Sequence, residues 1–173
     1  MYEYRPKIAM PKTTLQKITN LIGYGLFIGS TVYSLFNLPG LPSQVPIHFN
    51  SFGEVDGWGS KYLLLLLPFI GIIIVLALEA VEKRPHMHNY PTHINESNVQ
   101  QYYAISIRTS NLLKNAILVT FGLMQIEIVQ SAQQENFMLG IILFAVIIVT
   151  VVAPIVWYII SIMKIKQNKY PKD

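Results

Sequence analysis

The chain has 173 residues, 52% of them hydrophobic and only 13% charged, with a mean hydropathy of +0.41. Apolar runs of that weight exclude a disordered chain and an ordinary soluble domain, and they mark an integral membrane protein. The absence of cysteine closes disulfide and thiolate chemistry, and the formal charge of +4 suggests nucleic-acid binding only until the cations are located.

Four stretches have the length and composition to cross a bilayer: residues 21–38, 62–81, 112–129 and 138–163. They leave an extracellular loop at 39–61 and a cytoplasmic loop at 82–111 within one membrane domain, 1–173. The expected fold is all-α and polytopic. Twelve of the 13 Lys and Arg residues lie before the first span, between the second and third or at the third's start, and after the fourth; only Lys61 lies on the other side. Such a bias places both termini in the cytoplasm and makes the basic charge a topology signal, which argues against nucleic acid as the partner. No small-residue cleavage site follows Phe36, so the first span reads as a retained anchor. Its Gly25 and Gly29, four residues apart, form a small-xxx-small pattern suited to close helix approach and to a homodimer.

The loop from Pro39 to Lys61 is stiffened by three prolines and allowed tight turns by Gly53, Gly57 and Gly59. If residues 45–50 are extended, His48 and Asn50 share one side, and Asp56-Gly57 offers a hairpin turn that brings Glu54 and Asp56 back toward His48. One imidazole and two carboxylates have atoms for a metal site, but the spacing matches no standard ligand pattern. Structural hydrogen bonding and ligand recognition are the other readings, and no metal or cofactor is expected. Trp58 and Tyr62 suit an interfacial belt, with Lys61 anchoring the start of the second span.

Glu79, about a turn from the cytoplasmic end of the second span, is expected to pair with Lys83 at the interface. The cytoplasmic loop carries His86, His88 and His93 around Asn89-Tyr90-Pro91, and the histidines are expected to be solvated or hydrogen-bonded rather than metal-bound. Asn95 is the expected N-cap of a helix running over residues 96–129. Tyr102, Tyr103 and Arg108 on its first turns offer packing against the loops or a docking surface. Inside the third span, Lys114 lies near one end, within snorkelling reach of water. Ala116, Thr120, Glu127, Gln130 and Gln134 share a face expected to point inward, with Asn115, Gly122 and Gln125 on another. Glu127 then serves as a bundle hydrogen bond or as lining of an outward pocket. In the fourth span Thr150, Pro154, Trp157 and Ser161 share a face, and Pro154 should kink the helix.

The stretch Pro46-Ile47-His48-Phe49-Asn50, then Gly53, Asp56 and Gly57-Trp58-Gly59-Ser60-Lys61, resembles the signature of a bacterial membrane domain of unknown function that also forms the front part of Sdp-type toxin immunity and signalling proteins. Asn89-Tyr90-Pro91 with Ile94, Asn98 and Tyr102 is similar to that family's cytoplasmic motif. The resemblance implies a multispan protein that protects the producing cell from its own secreted toxic peptide and holds a cytosolic regulator at the membrane. The leading expectation is a non-enzymatic protein for immunity or sensing. His48, Asn50, Gly53, Glu54, Asp56, Lys61 and Glu127 are its candidate ligand residues, membrane lipid surrounds it, and no residue is expected to be catalytic. The alternative is a small transporter or flippase-like component using Glu127 and the polar face of the third span. A hydrolase lacks its machinery: the chain has no Cys, no H-E-x-x-H and no G-x-S-x-G.

Overall fold

A computed structural model of the chain describes residues 5–50, 52, 54–133 and 140–169. Its elements are α1 (Thr14–Asn37), β1 (Gln44–Phe49), β2 (Val55–Ser60), α2 (Leu66–Glu82), α3 (Val99–Gln133) and α4 (Gly140–Lys169), joined in part by short 3-10 turns. The chain is mostly helical, and all four helices are long and apolar enough to span a membrane. Of the expected spans, residues 21–37, 66–81, 112–129 and 140–163 are in these helices, Leu38 and residues 62–65 are in the 3-10 turns beside α1 and α2, and residues 138–139 lie outside the described residues.

Local chemistry sets the helix starts. Before α1, the Gln16 amide N–H donates to Thr13 Oγ1 while the Thr13 N–H donates to Gln16 Oε1 at 2.8 Å, so two otherwise orphaned donors are satisfied reciprocally. Ahead of α3, Asn95 and Asn98 do the equivalent. The Asn95 N–H donates to Asn98 Oδ1 at 2.9 Å, Asn95 Oδ1 accepts from Ser97 N, and the Asn95 carbonyl accepts from Asn98 N and Val99 N. Asn95 is thus the capping residue that the sequence suggests, although regular helix starts at Val99.

The central element is α3, 35 residues and about 52 Å long at 1.5 Å per residue, which packs against α1, α2 and α4. Having three neighbours, it buries more than one face, and the expectation of a single inward stripe is corrected. Ala116, Thr120 and Glu127 are buried but so are Asn115, Gly122 and Gln125, while Gln130 is exposed and Gln134 lies outside the described residues. Apolar packing between helices has no hydrophobic drive in hydrocarbon, so close approach matters. A Cβ at Gly71 of α2 would lie 2.6 Å from the Phe27 ring of α1, and one at Gly122 of α3 would lie 3.1 Å from Ser30 Oγ. By contrast, Gly25 and Gly29 meet nothing within 4 Å, so their face of α1 is open. Helix α4 continues through Pro154.

Three apolar clusters lie along α3. At one end Leu41, Val45 and Leu64 from around the hairpin meet Ile128 and Val129; in the middle Phe27 and Val75 meet Leu118; at the other end Ile94, Val99, Tyr102 and Tyr103 pack with Ile162 of α4.

Candidate functional site

The loop after α1 is an antiparallel hairpin, but its turn is not at Asp56-Gly57, which lies within β2. The reversal follows β1 and is built by Asn50. Its Oδ1 accepts from Phe52 N at 2.9 Å and Glu54 N at 3.0 Å, its Nδ2 donates to Glu54 Oε2, and its own N–H donates to the Glu54 carbonyl. An Asx side chain closing a turn in this way competes directly with a two-residue Asp-Gly turn. Gly53 lies outside the described residues.

The strand register is irregular on both sides of His48, which faces Gly57, and a Cβ at Gly57 would lie 2.8 Å from the His48 Cβ. Glycine therefore allows the close approach. The His48 Nδ1 meets Asp56 Oδ1 in an exposed pair, with 71% and 44% of the two side chains open to solvent. Glu54, engaged by Asn50, does not join them, and no group of three metal-ligating side chains gathers among the described residues. Lys61 is used internally: its Nζ donates to the carbonyls of Pro39 at 3.2 Å and Leu41 at 3.0 Å, fastening the end of β2 to the turn after α1. His48, Phe52, Asp56 and Trp58 are exposed on the hairpin, together with Gln44, Ile47, Glu54 and Ser60, whereas Val45 and Pro46 are buried.

At the opposite end of α3, the second motif is a packed aromatic cluster. The Tyr90 ring stacks on Tyr103 at 5.8 Å and meets Tyr102 edge-on at 5.9 Å, and its hydroxyl donates to the Pro85 carbonyl. Burial, offset in part by Ser106, pushes the Tyr90 phenol up to about 12. Tyr102 and Tyr103 are inside the cluster, so of the three proposed surface residues only Arg108 is exposed. Asn98, whose Oδ1 accepts from the Asn95 N–H, also donates by Nδ2 to the His93 carbonyl, while Asn89 and Pro91 face out. His88 is hydrogen-bonded, by Nδ1 to Ser106 and by Nε2 to the Val81 carbonyl at the end of α2. Arg5 closes the cluster from the N-terminal side, donating to the His88 carbonyl at 2.8 Å and lying 5.7 Å from the Tyr90 ring centre.

Between these two ends lies a buried charge network that the sequence reading did not assemble. Lys114 does not snorkel: it is 0% exposed, and its Nζ donates to Glu79 Oε1 at 2.7 Å and to Glu82 Oε2 at 2.9 Å. The Tyr24 hydroxyl of α1 donates to Glu79, and Asn111 donates to both Glu82 oxygens and to Asn20 Oδ1. Lys12, just before α1, lies 3.7 Å from Glu79 and 3.6 Å from Glu82. The expected Glu79–Lys83 pair is present at 3.4 Å, but it is only the rim of this network. The two carboxylates are thus compensated by three ammonium groups from three segments, tying α1, α2 and α3 together. The signal was available as Asn20/Tyr24, Glu79/Glu82 and Asn111/Lys114/Asn115, three polar pairs or triplets at helical spacing in three apolar segments.

Glu127 is far from all of this, 13 residues or about 20 Å along α3 from Lys114. It is 4% exposed, and among the described residues no side chain bonds its carboxylate.

This architecture, helices of membrane-spanning length carrying a strand hairpin between the first two, defines the chain's structural class. The model of a domain of unknown function, DUF1648, matches residues 25–72, which take in most of α1, the hairpin and the start of α2. No curated protein and no solved structure matches the chain.

Proposed function

We propose that this is a non-enzymatic membrane protein that meets a secreted peptide at the hairpin and passes the event to a cytosolic regulator, in the manner of an immunity or sensing protein. The observation that carries the reading is that α3 is seated under both motif-bearing loops. Its Ile128 and Val129 pack on the hairpin base, and its Tyr102 and Tyr103 hold the Asn-Tyr-Pro loop. A single helix joins the two and gives a route by which a shift at one end would bias the other. The loop bias of Lys and Arg supports a topology with the hairpin outside and the tyrosine cluster inside, and the resemblance of the hairpin motif is what points to a bacterial plasma membrane. The resemblance of the hairpin motif to the Sdp-type immunity proteins supports the same reading. Exposed His48, Asp56, Phe52 and Trp58 are the recognition surface, and Asn50, Glu54 and Lys61 shape it.

A second reading, a small transporter, is favoured by one observation: Lys114, Glu79 and Glu82 place charge in the span, and Glu127 places an unbonded acid nearer the other face.

The test is survival of a bacterium lacking the protein, challenged with a panel of secreted antimicrobial peptides, with wild-type, His48→Ala or Glu127→Gln copies at equal expression. Protection lost with His48→Ala and kept with Glu127→Gln supports the hairpin reading. Protection indifferent to His48 and abolished by Glu127→Gln moves the function to transport, and no protection by the wild type overturns both forms of defence.

A further inference from the structure

Two adjoining hollows lie along α3 on its α1 and α4 side. The larger, about 440 Å³, is lined by Ile22, Leu112, Val119, Val149, Ala153 and neighbouring side chains, and is almost wholly apolar. The smaller, about 190 Å³, carries Arg108, Thr13 and Gln16. Trp157 belongs to both and separates them. Arg108 stacks over its ring at 4.8 Å and pairs with no carboxylate among the described residues.

Depth fixes what these hollows face. From Arg108 to Val129 is 21 residues of α3, about 31 Å, which matches a ~30 Å hydrocarbon core. If the hairpin-end cluster at Val129 lies at one boundary, Arg108 lies at the other, at headgroup level. The apolar hollow, reached by residues 112–119, then runs into the hydrocarbon from that boundary. An aliphatic slot that begins beneath an unpaired, aromatic-backed guanidinium has the polarity of an amphiphile: chain in the slot, anionic head at Arg108.

We propose that the groove between α1, α3 and α4 is a binding site for one anionic phospholipid, with an acyl chain between Val119 and Ala153 and its phosphate at Arg108. The site is independent of which side of the membrane the hairpin faces and of what the hairpin recognises. A cation of this kind near a membrane surface gives about a five-fold preference for an anionic over a zwitterionic headgroup.

The chain has two tryptophans, so Trp58→Phe leaves Trp157 as the sole reporter inside the site. The protein is reconstituted in mixed vesicles of phosphatidylglycerol and phosphatidylcholine in which one or the other carries brominated chains, and quenching of Trp157 is read. Brominated phosphatidylglycerol is expected to compete about five-fold better than brominated phosphatidylcholine at equal mole fraction. Arg108→Gln removes that preference, while Lys17→Gln, at the same end but outside the groove, retains it. Ala153→Leu, which narrows the slot with the helix intact by circular dichroism, lowers quenching by both lipids. Equal quenching by the two lipids in the parent overturns the proposal. So does a preference lost equally in Lys17→Gln and Arg108→Gln, which reads as surface potential alone, and so does quenching unaffected by Ala153→Leu.

Discussion

Replacing Lys114 with Met keeps the length of the apolar stem and removes the ammonium that lies between Glu79 and Glu82. Breaking a buried ion pair from one side costs about 3–5 kcal/mol, because the abandoned charge stays buried. The two acids are not abandoned equally. Glu79 is 21% exposed and keeps Tyr24, Lys83 and Lys12, whereas Glu82 is 4% exposed and keeps Asn111 and Lys12. The cost therefore falls mainly on Glu82 and belongs at the low end, about 3 kcal/mol, or a Tm lowered by about 6–12 °C for a chain of this size. Thermal unfolding in a mild detergent reads it. Lys114→Met with Glu82→Gln removes charge from both sides and should lie within about 1 kcal/mol of the wild type, since neutral replacements of a buried pair are well tolerated. An ordinary hydrogen bond between membrane helices is worth about 0.6 kcal/mol, so a Lys114→Met loss of only 1–2 °C would refute a buried charge network, as would a double variant less stable than the single.

Asn50→Ala removes the acceptor for two turn amides and the partner of Glu54. It should loosen the hairpin by about 1–2 kcal/mol, seen as roughly 5- to 30-fold faster amide exchange over β1 and β2; unchanged exchange places the turn's stability elsewhere. Tyr90 holds its proton to about 12 when folded and to 10.0 when unfolded, so its contribution is complete below pH 10 and declines as pH rises toward 12. The stability difference between wild type and Tyr90→Phe should therefore fall across that interval, and a flat difference contradicts the burial of the phenol. Gly71→Val meets the Phe27 ring and should cost about 1–3 kcal/mol, whereas Gly25→Val enters open space and should change unfolding by less than about 0.5 kcal/mol. We also propose a homodimer through the open Gly25 and Gly29 face, so Gly25→Val, near neutral for the unfolding of the single chain, should weaken crosslinking in native membranes, and crosslinking that finds only monomer in the wild type removes the proposal.

The spans were legible because long apolar runs have few structural alternatives, and the cap at Asn95 because its pattern is local. The hairpin was legible as a shaped loop but its turn was not. Asp56-Gly57 has the composition of a tight turn, yet Gly57 serves a close approach to His48, and the reversal depends on three hydrogen bonds from one Asn50 side chain. Lys114 was misjudged because its distance from a span end says only that it can reach water. What decides its direction is the pair of acids on α2, 32 and 35 residues earlier in the chain. The burial of Asn115 and Gln125 was missed for a related reason: with three neighbours, α3 has no exposed position over residues 109–129 for periodicity to find.

Lys114 has a consequence for how the chain is made. It lies six residues, about 9 Å, along α3 from Arg108 toward the hairpin end, and a lone lysine within a span opposes entry into lipid by up to about 2.5–3.5 kcal/mol. The acids that neutralise it belong to the span synthesised just before. By the time α3 leaves the ribosome its counter-charges already stand at the membrane, so α3 enters as the second arm of a charge-matched pair. A chain broken between the two spans would leave Lys114 in α3 without the counter-charges that offset its cost.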